Sequence, residues 1–282
     1  MKVFSKINQV KSEIIGLKTA GNSIGFVPTM GALHQGHISL IEKAKLANDV
    51  VVCSIFVNPA QFNDKSDLLK YPRTLEKDLE MLESAGTDLV FTPETTEIYP
   101  DGEAEEKFDF GNLDKRMEGA HRPGHFRGVA KVVAKLFRIV MPDKAYFGEK
   151  DFQQLVIIKK LEEKLFPEIQ IIACPTVREE DGLAISSRNI LLDMQTREEA
   201  ALISKTLFQV KELKNKMSIN ELKTCVEKKI ISSRFLKLEY FEIVDENTLQ
   251  PLAEIMKTKS ARAFIAVKAG AIRLIDNVSL NS

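Results

Sequence analysis

Cysteine is scarce in this 282-residue chain: Cys53, Cys174 and Cys225 are widely spaced and form no C-x-x-C pair. So small and scattered a set excludes a disulfide framework or a cysteine zinc cluster and fits a reducing cytoplasm. Long hydrophobic runs are lacking too. No apolar stretch approaches the roughly 18 residues a membrane span needs, and the first residues carry no apolar core of a secretion signal. A soluble, unprocessed protein with no membrane partner is therefore expected. Neither sign of charge is in excess, since 40 Lys+Arg balance 40 Asp+Glu. Balanced charge gives no reason to expect a nucleic-acid surface, although a local basic site can still take nucleotide phosphates; a small ligand is the expectation. There is no internal repeat and no low-complexity tract, and residues 101–107 are charged enough to form a solvated loop.

What the chain does have is alternation. Ile7, Val10, Ile14 and Leu17 recur at helical spacing, with Gly21 closing that helix. Short apolar runs at 24–27, 50–57, 89–91, 145–147 and 169–174 read as strands, and helical patterns at 37–47, 74–85, 129–140 and 152–165 separate them. Strands apolar on both faces, alternating with helices, predict an α/β fold: a Rossmann-like, doubly wound parallel sheet covered by helices on both sides. After Cys174 the pattern changes. Thr196 with Glu199 reads as a capping box, and Ile203, Leu207 and Val210 mark a long amphipathic helix. A helix at 219–231 and strands at 236–244, 263–267 and 271–275 then predict a smaller C-terminal α+β domain, two helices over an antiparallel sheet. The expected division is 1–176 and 177–282.

Open parallel sheets bind ligands beyond the carboxyl ends of their strands, where the strand order switches. One such end carries the most informative motif, Phe26-Val27-Pro28-Thr29-Met30-Gly31-Ala32-Leu33-His34-Gln35-Gly36-His37. It is an H-x-G-H pair after an apolar strand and at the mouth of a helix. Free N–H groups at a helix start attract anions, two imidazoles add donors, and Gly31 with Gly36 allows close backbone approach. A metal site would need more converging ligands than a histidine pair supplies. Gly148-Glu149-Lys150-Asp151 lies at another strand-to-helix junction, where lysine can meet a phosphate and aspartate a ribose hydroxyl; a surface ion pair with an N-cap fits the same residues. Ile185-Ser186-Ser187-Arg188-Asn189 offers hydroxyls and a guanidinium for outer phosphates, or an ordinary polar hinge. Asn58 and Gln61 after the second run, and Gln153 with Gln154, supply amides suited to hydroxyl and carboxylate groups of a small polar substrate. The basic stretch His121-Arg122-Pro123-Gly124-His125-Phe126-Arg127-Gly128 stays open between a substrate lid, a dimer contact and a solvated turn.

The runs PTMGALHQGH, FVNPAQF, HRPGHFRGV, FGEKDFQQL and ISSRN stand in the order and spacing of the pantothenate synthetases, and the chain resembles that family of H-x-G-H nucleotidyltransferases. One departure is Ile185, where the family most often has Met; an aliphatic side chain of similar volume should matter little. The resemblance implies a ligase that condenses (R)-pantoate with β-alanine at the expense of ATP. It gives pantothenate, AMP and diphosphate through pantoyl adenylate, in a cytoplasmic homodimer. It implies ATP contacts from Met30, Gly31, Ala32, Leu33, His34, Gln35, Gly36 and His37; from Gly148, Glu149, Lys150 and Asp151; and from Val177, Ile185, Ser186, Ser187 and Arg188. His34, His37, Lys150 and Arg188 are the implied catalytic group, with His37 in the place of a proton donor. Gln61 is implied for pantoate and β-alanine, and Gln154 for pantoate. Mg2+ is implied with ATP, without a dedicated protein cage. The rival expectations are another H-x-G-H adenylyltransferase, which would need a second phosphate site for its acceptor, and a nucleotide-binding module without turnover.

Overall fold

The fold is taken from a computed structural model that describes residues 1–100, 106, 108–255 and 260–281. Its elements in chain order are β1 (Lys2–Phe4), α1 (Ile7–Thr19), β2 (Ile24–Thr29), α2 (Gln35–Lys45), β3 (Val50–Ile55), α3 (Lys65–Lys70), α4 (Leu75–Ser84) and β4 (Leu89–Phe91). There follow α5 (Thr95–Ile98), α6 (Glu118–His121), α7 (His125–Val140), β5 (Lys144–Gly148), α8 (Phe152–Leu165) and β6 (Gln170–Cys174). The chain ends with α9 (Met194–Leu213), α10 (Ile219–Ile231), β7 (Leu236–Asp245), β8 (Ala261–Ala269) and β9 (Ile272–Ser279). These pack as two units, Met1–Glu149 with Gln154–Pro175, and Lys150–Gln153 with Thr176–Ser282. The expected solvated loop at 101–107 lies outside the described residues except for Glu106.

In the first unit six strands stand in the order β1-β4-β3-β2-β5-β6, each neighbouring pair parallel. Successive strand residues face opposite sides, and β2 uses both. Phe26 lies 6.4 Å from the ring of Phe137 on α7, whereas Val27 joins Leu40, Ile41 and Ala44 of α2 and Leu82 of α4. Helices thus cover both faces, which is why the strands read as continuous apolar runs. From β2 to β6 the order is that of a doubly wound sheet, reversing at β2 with β3 on one side and β5 on the other. The carboxyl ends of β2, β3 and β5 therefore open on one edge. At the close of α1, Gly21 has φ +87°, its N–H donates to Lys18 O at 3.0 Å and Asn22 N–H to Leu17 O at 3.1 Å. This is the glycine closure read from the sequence.

In the second unit β7, β8 and β9 form an antiparallel sheet. Ala263, Ile265 and Val267 of β8 pack with Ile203 and Leu207 of α9 and Leu222 and Val226 of α10. On the opposite face Arg262 sits 3.7 Å over the Phe152 ring, and Phe264 meets the same ring edge-on at 6.0 Å. One expectation is corrected: Thr196 and Glu199 are not the capping box of α9. The helix begins three residues earlier, at Met194, and Asp193 is its cap, accepting the Thr196 N–H at 2.9 Å. Thr196 Oγ1 donates to the other Asp193 oxygen, so its hydroxyl serves Asp193 and not the helix start. The three cysteines are free, and burial pushes the Cys53 thiol up to about 12.

Candidate active site

At the end of β2 the chain makes a turn with two consecutive positive φ angles, Gly31 at +78° and Ala32 at +50°. Thr29 Oγ1 bridges it, donating to Ser54 O at 2.7 Å and accepting Gly31 N–H at 3.2 Å. The Ala32 and Leu33 N–H groups donate to Oδ2 and Oδ1 of buried Asp78 at 2.9 and 2.8 Å. Helix α2 then starts at Gln35, two residues before the expected start, with His34 as its N-cap. His37 is thus already helical, in the first turn and not in a loop. Ile38, Leu40, Ile41 and Ala44 bury the other side of α2, which holds the helix start at the sheet edge.

The two histidines are brought together: their ring centroids are 4.0 Å apart at 33°. His34 N–H donates to His37 Nδ1 at 3.3 Å. An acceptor nitrogen carries no proton, so the neutral His37 ring holds its proton on Nε2. The first turn of α2 has no acidic residue and the last has Lys43 and Lys45, so the helix supplies no carboxylate of its own to neutralise the positive end of its dipole. A Cβ at Gly36 would stand 3.0 Å from the His34 ring atoms Cε1 and Nδ1, so a larger residue there would press the His34 ring out of place. Chemically, a helix start beside two imidazoles is an arrangement that can receive an anion.

Gln61 is tied to the same β2–α2 turn through Met30. It closes a 3-10 turn at Pro59–Gln61 and is buried, with Nε2 donating to Met30 Sδ at 3.0 Å. Its Oε1 accepts from Asn58 Nδ2, also at 3.0 Å, and Tyr99 donates to Asn58 Oδ1 at 2.8 Å, which fixes the orientation of both amides. His125 Nδ1 donates to Gln61 O at 2.9 Å, since a carbonyl can only accept. The stretch 121–128 divides: His121, Pro123 and Gly124 are exposed around a turn at 123–124, whereas His125 is buried and 125–128 open α7 against the Gln61 turn. Asp78, Tyr99 and His125 were absent from the sequence-based site. Gly148 ends β5, and a Cβ there would meet nothing within 4 Å, so neither packing nor a positive φ requires glycine. Gln154 is half-buried on α8 beside buried Gln153.

The remaining residues fall in the second unit. Lys150 Nζ lies 3.4 Å from Asp151 Oδ1, and its carbonyl accepts from Asn277 Nδ2 at 2.9 Å, tying the turn to β9. Val177 and Ile185 are joined directly, Ile185 N–H donating to Val177 O at 3.0 Å. Between them Arg178 makes a two-pronged ion pair with buried Asp276, at 2.7 and 2.9 Å, which fixes the loop. The Ser186 hydroxyl accepts the Arg188 N–H at 3.2 Å and Asn189 N–H donates to Ser186 O at 2.9 Å, a tight turn that holds Ser186, Ser187 and Arg188 half-buried.

Known proteins share this pattern along the whole chain. The profile of the family described as pantoate-beta-alanine ligase matches residues 2–279. A pantothenate synthetase of Phocaeicola vulgatus is 50% identical over 279 residues, 99% of each chain. One from Bacteroides thetaiotaomicron is 48% identical over 278 residues, covering 99% of this chain and 98% of its own. Among solved structures, a pantothenate synthetase from Thermus thermophilus matches with a TM-score of 0.94 at 40% identity, over 100% of both chains. A pantoate-beta-alanine ligase from Francisella tularensis, complexed with beta-gamma ATP and beta-alanine, matches with a TM-score of 0.83 at 39% identity, over 99% of this chain and 98% of that one. With the motifs in order and both sheets in place, the chain belongs to the pantoate–β-alanine ligase family.

Proposed function

We propose that this protein condenses (R)-pantoate with β-alanine at the expense of ATP, making pantothenate, AMP and diphosphate for coenzyme A synthesis. The observation that carries the reading is the Met30–Gln61 contact, which ties an uncharged amide to the β2–α2 turn that leads to the imidazole pair. Such a site offers donors to a polyphosphate and a neutral amide to a hydroxy acid without phosphate. In the first step a pantoate carboxylate oxygen attacks the α-phosphorus in line, and the bond to the β-phosphate oxygen breaks. The electron pair leaves with diphosphate. In the second step the neutral amine of β-alanine attacks the acyl carbon, AMP departs and the amine loses a proton.

In this reading His34 and His37 meet the phosphates, with the His37 Nε2–H as a donor to charge that develops on the leaving diphosphate. Electrostatic stabilisation describes that role better than strict proton donation, because diphosphate leaves readily as an anion. Met30, Gly31, Ala32, Leu33, Gln35 and Gly36 line the nucleotide site. Gly148 and Asp151 hold the ribose beside Glu149, Lys150 the phosphates, and Val177 the adenine through its backbone. Ser186, Ser187 and Arg188, next to Ile185, take the outer phosphates. Gln61 and Gln154 bind pantoate, and Gln61 also lies near β-alanine. Magnesium enters on ATP as part of the substrate. Among the described residues no three His, Cys, Asp or Glu side chains group to hold a metal. A nucleotide- and pantoate-binding domain at 1–176, a lid at 177–282, a homodimer and a cytoplasmic location complete the proposal.

Replacing Gln61 by Ala tests the acceptor site. The expected result is a KM for pantoate about tenfold higher, the scale of one lost hydrogen bond to a charged group, with the KM for ATP within about twofold. An unchanged pantoate KM would remove Gln61 from the substrate site.

A further inference from the structure

We infer that Asp78 is a positioning residue for the first half-reaction, an internal anion that holds the β2–α2 turn in the shape that aims His34 and His37; this rests on the function proposed above. Asp78 lies on α4, far in sequence from the turn, and is 1% exposed. Its two oxygens take the consecutive N–H groups of Ala32 and Leu33, and Oδ1 also accepts from Thr74 Oγ1 at 3.1 Å. Successive N–H groups of a turn form a concavity that binds anions. Here a carboxylate of the protein itself fills it.

Two features show that the turn is built around that carboxylate. A Cβ at position 31 would lie 3.0 Å from Asp78 Oδ2 and 3.0 Å from Ile55 Cγ2, a contact tight enough that the carboxylate or Ile55 would have to shift, and its φ of +78° favours glycine as well. Ala32 holds a φ of +50°, which residues with a side chain rarely adopt and which persists where the surroundings impose it. The next residues are buried Leu33, the His34 cap and His37. With the Ala32 and Leu33 amides engaged by Asp78, the start of α2 is the place the proposed function gives to the phosphate. Asp78 therefore sets both the place of the histidines and the place of the polyphosphate.

Asp78→Asn keeps the shape but removes the charge and turns an NH2 group toward one of the two backbone N–H donors. Pantoate-dependent exchange of diphosphate into ATP should fall about tenfold, the scale of a lost charged hydrogen bond. Pantothenate formation from supplied pantoyl adenylate and β-alanine should stay within about twofold, because that step does not draw on the diphosphate site. The chain has four histidines, and in imidazole NMR spectra the His34 and His37 signals should move while those of His121 and His125 do not. Thr74→Val, which removes a single bond to Asp78, should lower the exchange by a few-fold and serves if the Asn variant does not fold. Equal loss in both half-reactions, or unmoved His34 and His37 signals, would overturn the inference. Absence of exchange in the unmodified protein would instead overturn the proposed function, and the histidine signals would still test the role of Asp78.

Discussion

Replacing His37 by Ala is expected to slow adenylate formation by about 10²–10³, the range found when one preorganised donor is removed from a site that stabilises developing charge. The argument is geometric. His37 is fixed at the third position of α2 by the N–H of His34 on Nδ1, so Nε2 is the ring nitrogen that carries the donor hydrogen of the neutral ring. Removing the ring takes away that donor and the stacking partner of His34, 4.0 Å away. Alanine favours helix and the His37 side chain is half-buried, so the fold should tolerate the change. Rapid-quench measurement of pantoate-dependent diphosphate release, with a thermal melt for stability, checks this. An unchanged rate with an unchanged melt would contradict the assignment of His37 to the reacting phosphates.

Gly128→Ala is expected to have the largest structural effect. A Cβ at that position would stand 2.2 Å from Ala60 O and 2.8 Å from Gln61 Cα, backbone atoms that no side-chain rotation can move aside. Nor can α7 withdraw, because Phe126, Val129, Ala130 and Val133 on the same helix are buried. The turn at 58–61 must give way instead, and with it the bond from Asn58 Nδ2 to Gly128 O and the seat of Gln61. Overpacking costs of this kind run to about 1–3 kcal/mol or more. The expected outcome is a melting temperature lower by several degrees together with loss of pantoate affinity, read by thermal denaturation and by the pantoate KM. A variant that melts like the parent and keeps its KM would show that α7 does not press on the substrate turn.

The parts of the fold that the sequence disclosed were those that bury two faces or one continuous stripe. The runs at β2 and β3 are apolar because helices lie on both sides of them, and α10 shows its boundaries because one face is core. β1 left no such trace: three mostly exposed residues at the sheet edge need no apolar pattern. The start of α9 was misplaced because Asp193 and Thr196 are both good capping residues, and which of them caps depends on a hydroxyl orientation that sequence does not encode. In the site, the residues predicted by motif lie near one another in the chain, as His34 and His37 do. Those missed act from a distance. Asp78 stands among Glu76, Lys77 and Glu80 on a charged helix and reads as one more surface acid; only the folded chain sets its carboxylate under a turn 45 residues away. His125 was left between several roles because its burial beneath Gln61 depends on how α7 packs.

The most direct test of the account supplies ATP, magnesium and pantoate, with and without β-alanine, and follows AMP, diphosphate and the mass of pantothenate. The account predicts equal amounts of AMP and pantothenate that appear only when both acceptors are present, with diphosphate as the other product. Binding of ATP with no pantothenate formed, or AMP released at the same rate without pantoate, would contradict it.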